Sequence, residues 1–275
     1  MSAPFSETIR VVVVAALLAC SVLAHASDKV GIVLMHGKQG SAEHVQSLAA
    51  DLIAHGYLVV APDMPWSKAR GYDRPLEEAQ REIDAALNVL RQQGAIRFVV
   101  AGHSMGANMA IGYAATHQGV DAVMALGPGQ TVESQSFVDH LGGSVQEAKA
   151  RVAAAEGDNP ARLQDMHLGR VFSIEVSPRI YLSYFDPAGL ANMPQTAKRI
   201  AIPFLWTVGS RDKNMLDRGP AYAFDLAQPT SFNRYQVVDA DHMGTPDASR
   251  SAVLQWLSGV FQRSMQGSQS GEIAK

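Results

Sequence analysis

The chain has 275 residues, 47% of them apolar and 18% charged, which is ample material for a core and excludes a disordered or low-complexity chain. Lysine plus arginine number 23 against 26 for aspartate plus glutamate, and the resulting charge of −3 gives no reason to expect nucleic acid or an anionic membrane surface as partner. The single cysteine, Cys20, excludes an intramolecular disulfide framework and a zinc site built from thiolates.

Arg10 precedes an apolar run, Val11 to Ala24, interrupted only by Cys20 and Ser21 and ending in Ala24-His25-Ala26. This pattern predicts an export signal over 1–26, cut after Ala26, with a mature domain over 27–275 that is periplasmic or secreted. The run is short for a membrane span, so no stable span is expected in the mature form. Leu17-Leu18-Ala19-Cys20 makes a lipid anchor through Cys20 the second choice.

Val30 to Met35 is a short apolar run ending at His36-Gly37 and reads as a buried parallel strand. Residues 41–55 carry Val45, Leu48, Leu52 and Ile53 at helical spacing, and Gly56 stops them. Residues 57–61 are the second strand, followed by a loop over 62–74 with Pro65, Trp66 and Gly71. Pro75 opens a helix to about Gln93 with Ile83, Leu87 and Leu90 on one stripe. Ile96 to Ala101 is a third strand, running into Gly102-His103-Ser104-Met105-Gly106 and a helix of small residues to about His117. Further strands are expected over 120–126, 201–209 and 234–239, then a helix over about 248–264 and a frayed serine- and glycine-rich tail. The alternation argues for an α/β fold with a mostly parallel sheet of about six strands and helices on both faces. Right-handed crossovers place the strands' C-terminal ends on one edge. Residues from about 130 to 195 break the rhythm, with a helical stretch near 144–156 and a proline- and aromatic-rich stretch near 172–187. They read as a small cap insertion above that edge.

Four signals fall at C-terminal strand ends, where open α/β sheets place their sites. The turn Gly102-His103-Ser104-Met105-Gly106 lies between a strand and a helix, the context in which such a bend lifts a serine hydroxyl above the sheet. A serine hydroxyl needs a base, and His242 alone among nine histidines follows the last strand in a short loop. The side chain of His103 is expected to point away from the reacting centre, and His36 to organise its own loop. Asp212, after the strand ending at Gly209, is the carboxylate expected to orient the imidazole; Asp217, Asp239 and Asp241 are its rivals. An acyl-transfer intermediate needs donors for its oxyanion, and the backbone amides of Met105 and Lys38 are the expected pair. The side chain of Lys38 has no part in that expectation.

On these residues, His36-Gly37, Gly102-His103-Ser104-Met105-Gly106, Asp212 and His242, the chain resembles the α/β-hydrolase-fold serine hydrolases over about 28–264, with Ser, Asp and His in that family's order. The first antiparallel hairpin of that fold is missing, so the sheet should be small. The resemblance implies Ser-His-Asp acyl-enzyme chemistry on a small-molecule carboxylic ester, with no metal or organic cofactor. Trp66 and Tyr184, with Tyr181 and Phe185, are candidates for the pocket wall, each weighed against plain core packing. An acyltransferase, thioesterase or peptidase could use the same residues, and a non-catalytic exported binding module is the alternative of another class. A peptidase acting on free N-termini usually needs an acidic anchor, but Glu147, Glu156, Asp158 and Asp165 read as a solvated helical face. No feature of the sequence sets an oligomeric state.

Overall fold

The computed structural model describes residues 28–270, so the export signal expected over 1–26, with Cys20, lies outside the described residues. The central sheet has six strands: β1 (Val30–Met35), β2 (Leu58–Val60), β3 (Arg97–Ser104), β4 (Ala122–Pro128), β7 (Phe204–Gly209) and β8 (Arg234–Val238). Their order is β2-β1-β3-β4-β7-β8, and every neighbouring pair is parallel. The expected sheet is therefore present and wholly parallel.

Side chains of the inner strands alternate between two buried layers, as a pleated strand covered on both faces requires. Ile32 and Leu34 of β1, with Val99 and Ala101 of β3, face helix α1 (Gln46–Ala54) and helix α9 (Arg250–Ser270), where Leu48, Leu52, Val253, Trp256 and Leu257 close one core. Val33 and Met35 face the other way, against helix α2 (Leu76–Gln92) and helix α3 (Met105–Thr116), which supply Ile83, Leu87, Leu90 and Ile111. Ile53, counted with the buried stripe of α1, is instead exposed. Helix α9 runs on to Ser270, past the expected end near 264.

The insertion between β4 and β7 holds helix α4 (Gln135–Ala153), strands β5 (Ala161–His167) and β6 (Arg170–Val176), and helices α5 (Pro178–Phe185) and α6 (Met193–Ala197). The hairpin β5–β6 is antiparallel and forms its own two-stranded sheet. It turns through Leu168 and Gly169, both at positive φ, as a two-residue hairpin turn demands. The expected helical stretch is the end of a longer helix, and the hairpin was not foreseen. Helix α7 (Lys213–Leu216) and helix α8 (Thr245–Ala248) are single turns that carry the chain away from β7 and from the loop after β8. Among the described residues no helix is long and apolar enough to cross a membrane.

Candidate active site

β3 ends at Ser104, whose φ of 54° and ψ of −118° lie outside the favoured regions for a residue with a side chain. The bend closes so tightly that a Cβ on Gly102 would lie 2.3 Å from the carbonyl of Gly106, and one on Gly106 would lie 2.6 Å from the carbonyl oxygen of His36. Those contacts explain why glycine flanks the serine on both sides.

The loop after β8 brings His242 to Ser104, with Nε2 2.9 Å from the serine Oγ. On its other side Nδ1 lies 2.6 Å from Oδ2 of Asp212, which sits just past the end of β7. The carboxylate can only accept, so Nδ1 carries the proton and Nε2 is free to accept from the serine hydroxyl. Of the four aspartates weighed for this place, Asp212 alone meets the imidazole. Asp239 pairs with Arg211, Asp241 accepts from the Gly244 amide, and Asp217 closes the end of α7.

The elbow histidine is closer to the site than expected. His103 Nε2 donates to the carbonyl oxygen of His242 at 2.9 Å, and the two rings stand 5.0 Å apart. Burial, and secondarily the neighbouring His242, pushes His103 down to about 4, so it is neutral near pH 7. Gly129, just after β4, presses on the same pair: a Cβ there would lie 2.6 Å from Ser104 Oγ. Its amide and that of Gln130 reach the buried Asn108 Oδ1 at 3.2 and 3.4 Å.

The loop after β1 passes under the serine, where a Cβ on Gly37 would lie 3.0 Å from the Cβ of Ser104. His36 does organise this loop. Its Nδ1 donates to the Gly37 carbonyl at 2.7 Å, and its Nε2 accepts from the Met64 amide at 2.9 Å. Asp63 lies 3.3 Å from the same Nε2, but burial lowers the His36 pKa and keeps the ring neutral, so the amide bond is the real one. Met105 begins α3, where the first amides have no partner inside the helix.

A cavity of about 350 Å³ opens onto Ser104 and His242, walled by Lys38, Met105, Gly129, Phe137, Met166 and His167 among others. Trp66 and Tyr184, proposed for such a wall, are not on it. Trp66 is fully buried and its Nε1 donates to the carbonyl of His36 at 2.8 Å, bracing the loop under the serine. Tyr184 is also fully buried, donates to the carbonyl of Arg74 at 2.9 Å, and faces a separate apolar hollow with Leu76 and Met109. Tyr181 and Phe185 stack on each other in the core with centroids 4.3 Å apart. The residues that do wall the cavity come largely from the insertion, which carried no readable site signal. Asp165 is a further correction, because it lies inward on β5 and wholly buried, not on a solvated helical face. Among the described residues no group of three or more His, Cys, Asp or Glu side chains is placed to hold a metal ion.

A parallel sheet with a strained serine turn after its third strand, and a cap inserted above its C-terminal edge, defines an α/β-hydrolase. Within that class the chain belongs to the serine aminopeptidase S33 family, Hydrolase_4, which matches residues 26–240. The match stops just short of His242. No curated protein matches the sequence. Solved structures with the same fold include one from the work on the two metagenome-derived lipolytic enzymes LipS and LipT, 17% identical over 86% of this chain and 95% of its own, with a TM-score of 0.61. A monoacylglycerol lipase of Paleococcus ferrophilus is 22% identical over 84% of this chain and 94% of its own, with a TM-score of 0.62. An enol-lactonase of Burkholderia xenovorans LB400 is 18% identical over 85% and 93%, with a TM-score of 0.54. At such identities the likeness speaks for the fold.

Proposed function

We propose that the protein is an exported serine hydrolase that cleaves a small or medium carboxylic ester in two steps. The observation that carries this reading is the continuous relay Ser104–His242–Asp212, with contacts of 2.9 and 2.6 Å. Ser104 Oγ attacks the ester carbonyl while His242 Nε2 takes its proton. Asp212 holds the imidazole in the productive tautomer and stabilises its cation. The backbone amides of Met105 and Lys38 receive the oxyanion. Collapse breaks the ester C–O bond, and His242 returns its proton to the leaving alcohol. A water then gives its proton to His242 and attacks the acyl-enzyme, and the acid leaves with Ser104 restored.

The cavity wall favours esters over the free amino termini that the family's name suggests. An ammonium needs a carboxylate to hold it. Asp212 is committed to His242, Asp165 is buried against Lys38, and the Lys38 ammonium itself stands on the wall. The lipase, lipolytic enzyme and enol-lactonase that share the fold fit the same choice.

A panel of p-nitrophenyl esters of rising acyl length, run beside aminoacyl p-nitroanilides, tests this reading. Ester turnover by the wild type, lost in Ser104→Ala, is expected, with little turnover of the anilides. Anilide turnover exceeding ester turnover would replace the ester reading with an aminopeptidase.

A further inference from the structure

Lys38 and Asp165 stand 127 residues apart in the chain and meet inside the protein, with Nζ 2.5 Å from Oδ1. Their side chains are 8% and 0% exposed. Asp165 also accepts from the Tyr72 hydroxyl at 2.9 Å and from the Met166 amide at 2.6 Å. Lys38 donates further to the Met166 carbonyl at 3.1 Å and lies 4.9 Å over the ring of Phe185. Burying such a pair brings little stability, since the desolvation of both ions offsets most of their attraction, and apolar replacements of similar volume often fold as well. Its position gives the pair a different value. Lys38 belongs to the loop that passes under Ser104, and Asp165 belongs to the hairpin that roofs the cavity.

The same loop is held on its far side by neutral bonds, from the Gln39 amide to the Trp66 carbonyl at 2.9 Å and from the Trp66 indole to the His36 carbonyl. Between those bonds and the ion pair, Gln39 is kept at a φ of 57°, a left-handed conformation that a glutamine does not choose unaided. The loop is thus fastened from two directions around a strained residue.

Building on the ester-hydrolase reading, we propose that Asp165 is a positioning residue. Through the Lys38 ammonium it fixes the backbone of the loop that supplies the oxyanion donor, so the cap hairpin and the oxyanion hole work as one unit. The amide of residue 38 then meets the developing oxyanion only while the side chain of the same residue is tethered.

Kinetics of Lys38→Met and Asp165→Asn test this, with binding of an alkylboronic acid as a mimic of the tetrahedral intermediate. Both keep the backbone amide; Lys38→Met removes the tether, and Asp165→Asn removes its charge and leaves at most a neutral hydrogen bond. Each should lower kcat about ten- to a hundredfold with KM held within about threefold, because misplacement by about 1 Å costs on that order. Boronate affinity should weaken by the same factor as kcat/KM, as expected for a group that acts on the transition state. If Asp165→Asn fails to fold, Lys38→Met carries the test, since its aspartate keeps the Tyr72 and Met166 donors. The double variant Lys38→Met/Asp165→Leu should lose no more activity than either single change, because both remove the same tether. Wild-type kcat and boronate affinity in Lys38→Met, with Ser104→Ala inactive, would overturn the brace alone. Full turnover in Ser104→Ala would instead overturn the hydrolase reading, and the brace with it.

Discussion

The imidazole of His103 ties the serine turn to the loop that carries His242, because its Nε2 donates to the His242 carbonyl. A positioning role follows, and it separates two substitutions. His103→Leu removes the donor and should lower kcat about tenfold or more with KM nearly unchanged, while His103→Gln, whose amide can still donate, should recover most of that loss. Equal kcat in the two variants would reduce the ring to packing. The sequence displays Ser104 clearly because a strained turn between strand and helix demands glycine at 102 and 106. It displays Asp212 less clearly, since Asp217, Asp239 and Asp241 also follow the last two strands and only the fold separates them. Gly129 was beyond reach. Its need for glycine arises from Ser104 Oγ, which no local motif places beside it. Trp66 and Tyr184 read as aromatic wall residues because buried aromatics look alike in sequence whether they face a cavity or a core.

At the scale of elements, the inner parallel strands were legible because each is built around a short apolar run bounded by glycine, proline or a helix. The hairpin over 161–176 was not. Its inward face on β5 runs Ala161, Leu163, Asp165, and a buried charged residue hides the alternation that marks a half-buried strand. Its turn is Leu168-Gly169, without the asparagine or aspartate that announces such a turn. A second element-level link is Asn108 on α3, which accepts from the Gly129 and Gln130 amides and donates to the Gln130 carbonyl at 2.6 Å. It joins the helix behind the serine to the loop after β4. Asn108→Ala leaves these backbone groups without their partner, and it should lower unfolding free energy by about 1–3 kcal/mol. Urea denaturation measures this, and an unchanged midpoint and slope would mean that water replaces the side chain at no cost.

Two neutral imidazoles buried beside the sheet, His36 and His103, make the stability of the whole molecule depend on pH. The unfolded chain protonates a histidine near 6.5, whereas His103 in the fold waits until about 4. Between those values the unfolded state binds more protons, so stability is full above about 6.5 and falls as pH drops toward about 4. For His103 alone the change is on the order of 3 kcal/mol. Melting temperatures across this range should show the decline, and His103→Gln should flatten it. An unaltered slope in that variant would assign the dependence to other groups.

The central claim is that Ser104 is a nucleophile activated by His242, and the most direct measurement is covalent labelling with a fluorophosphonate followed by intact-mass and peptide analysis. The relay predicts one adduct per chain, located on Ser104, absent in Ser104→Ala and much slower in His242→Ala. An adduct formed at the wild-type rate in Ser104→Ala, or no adduct on a folded wild-type protein, would contradict it.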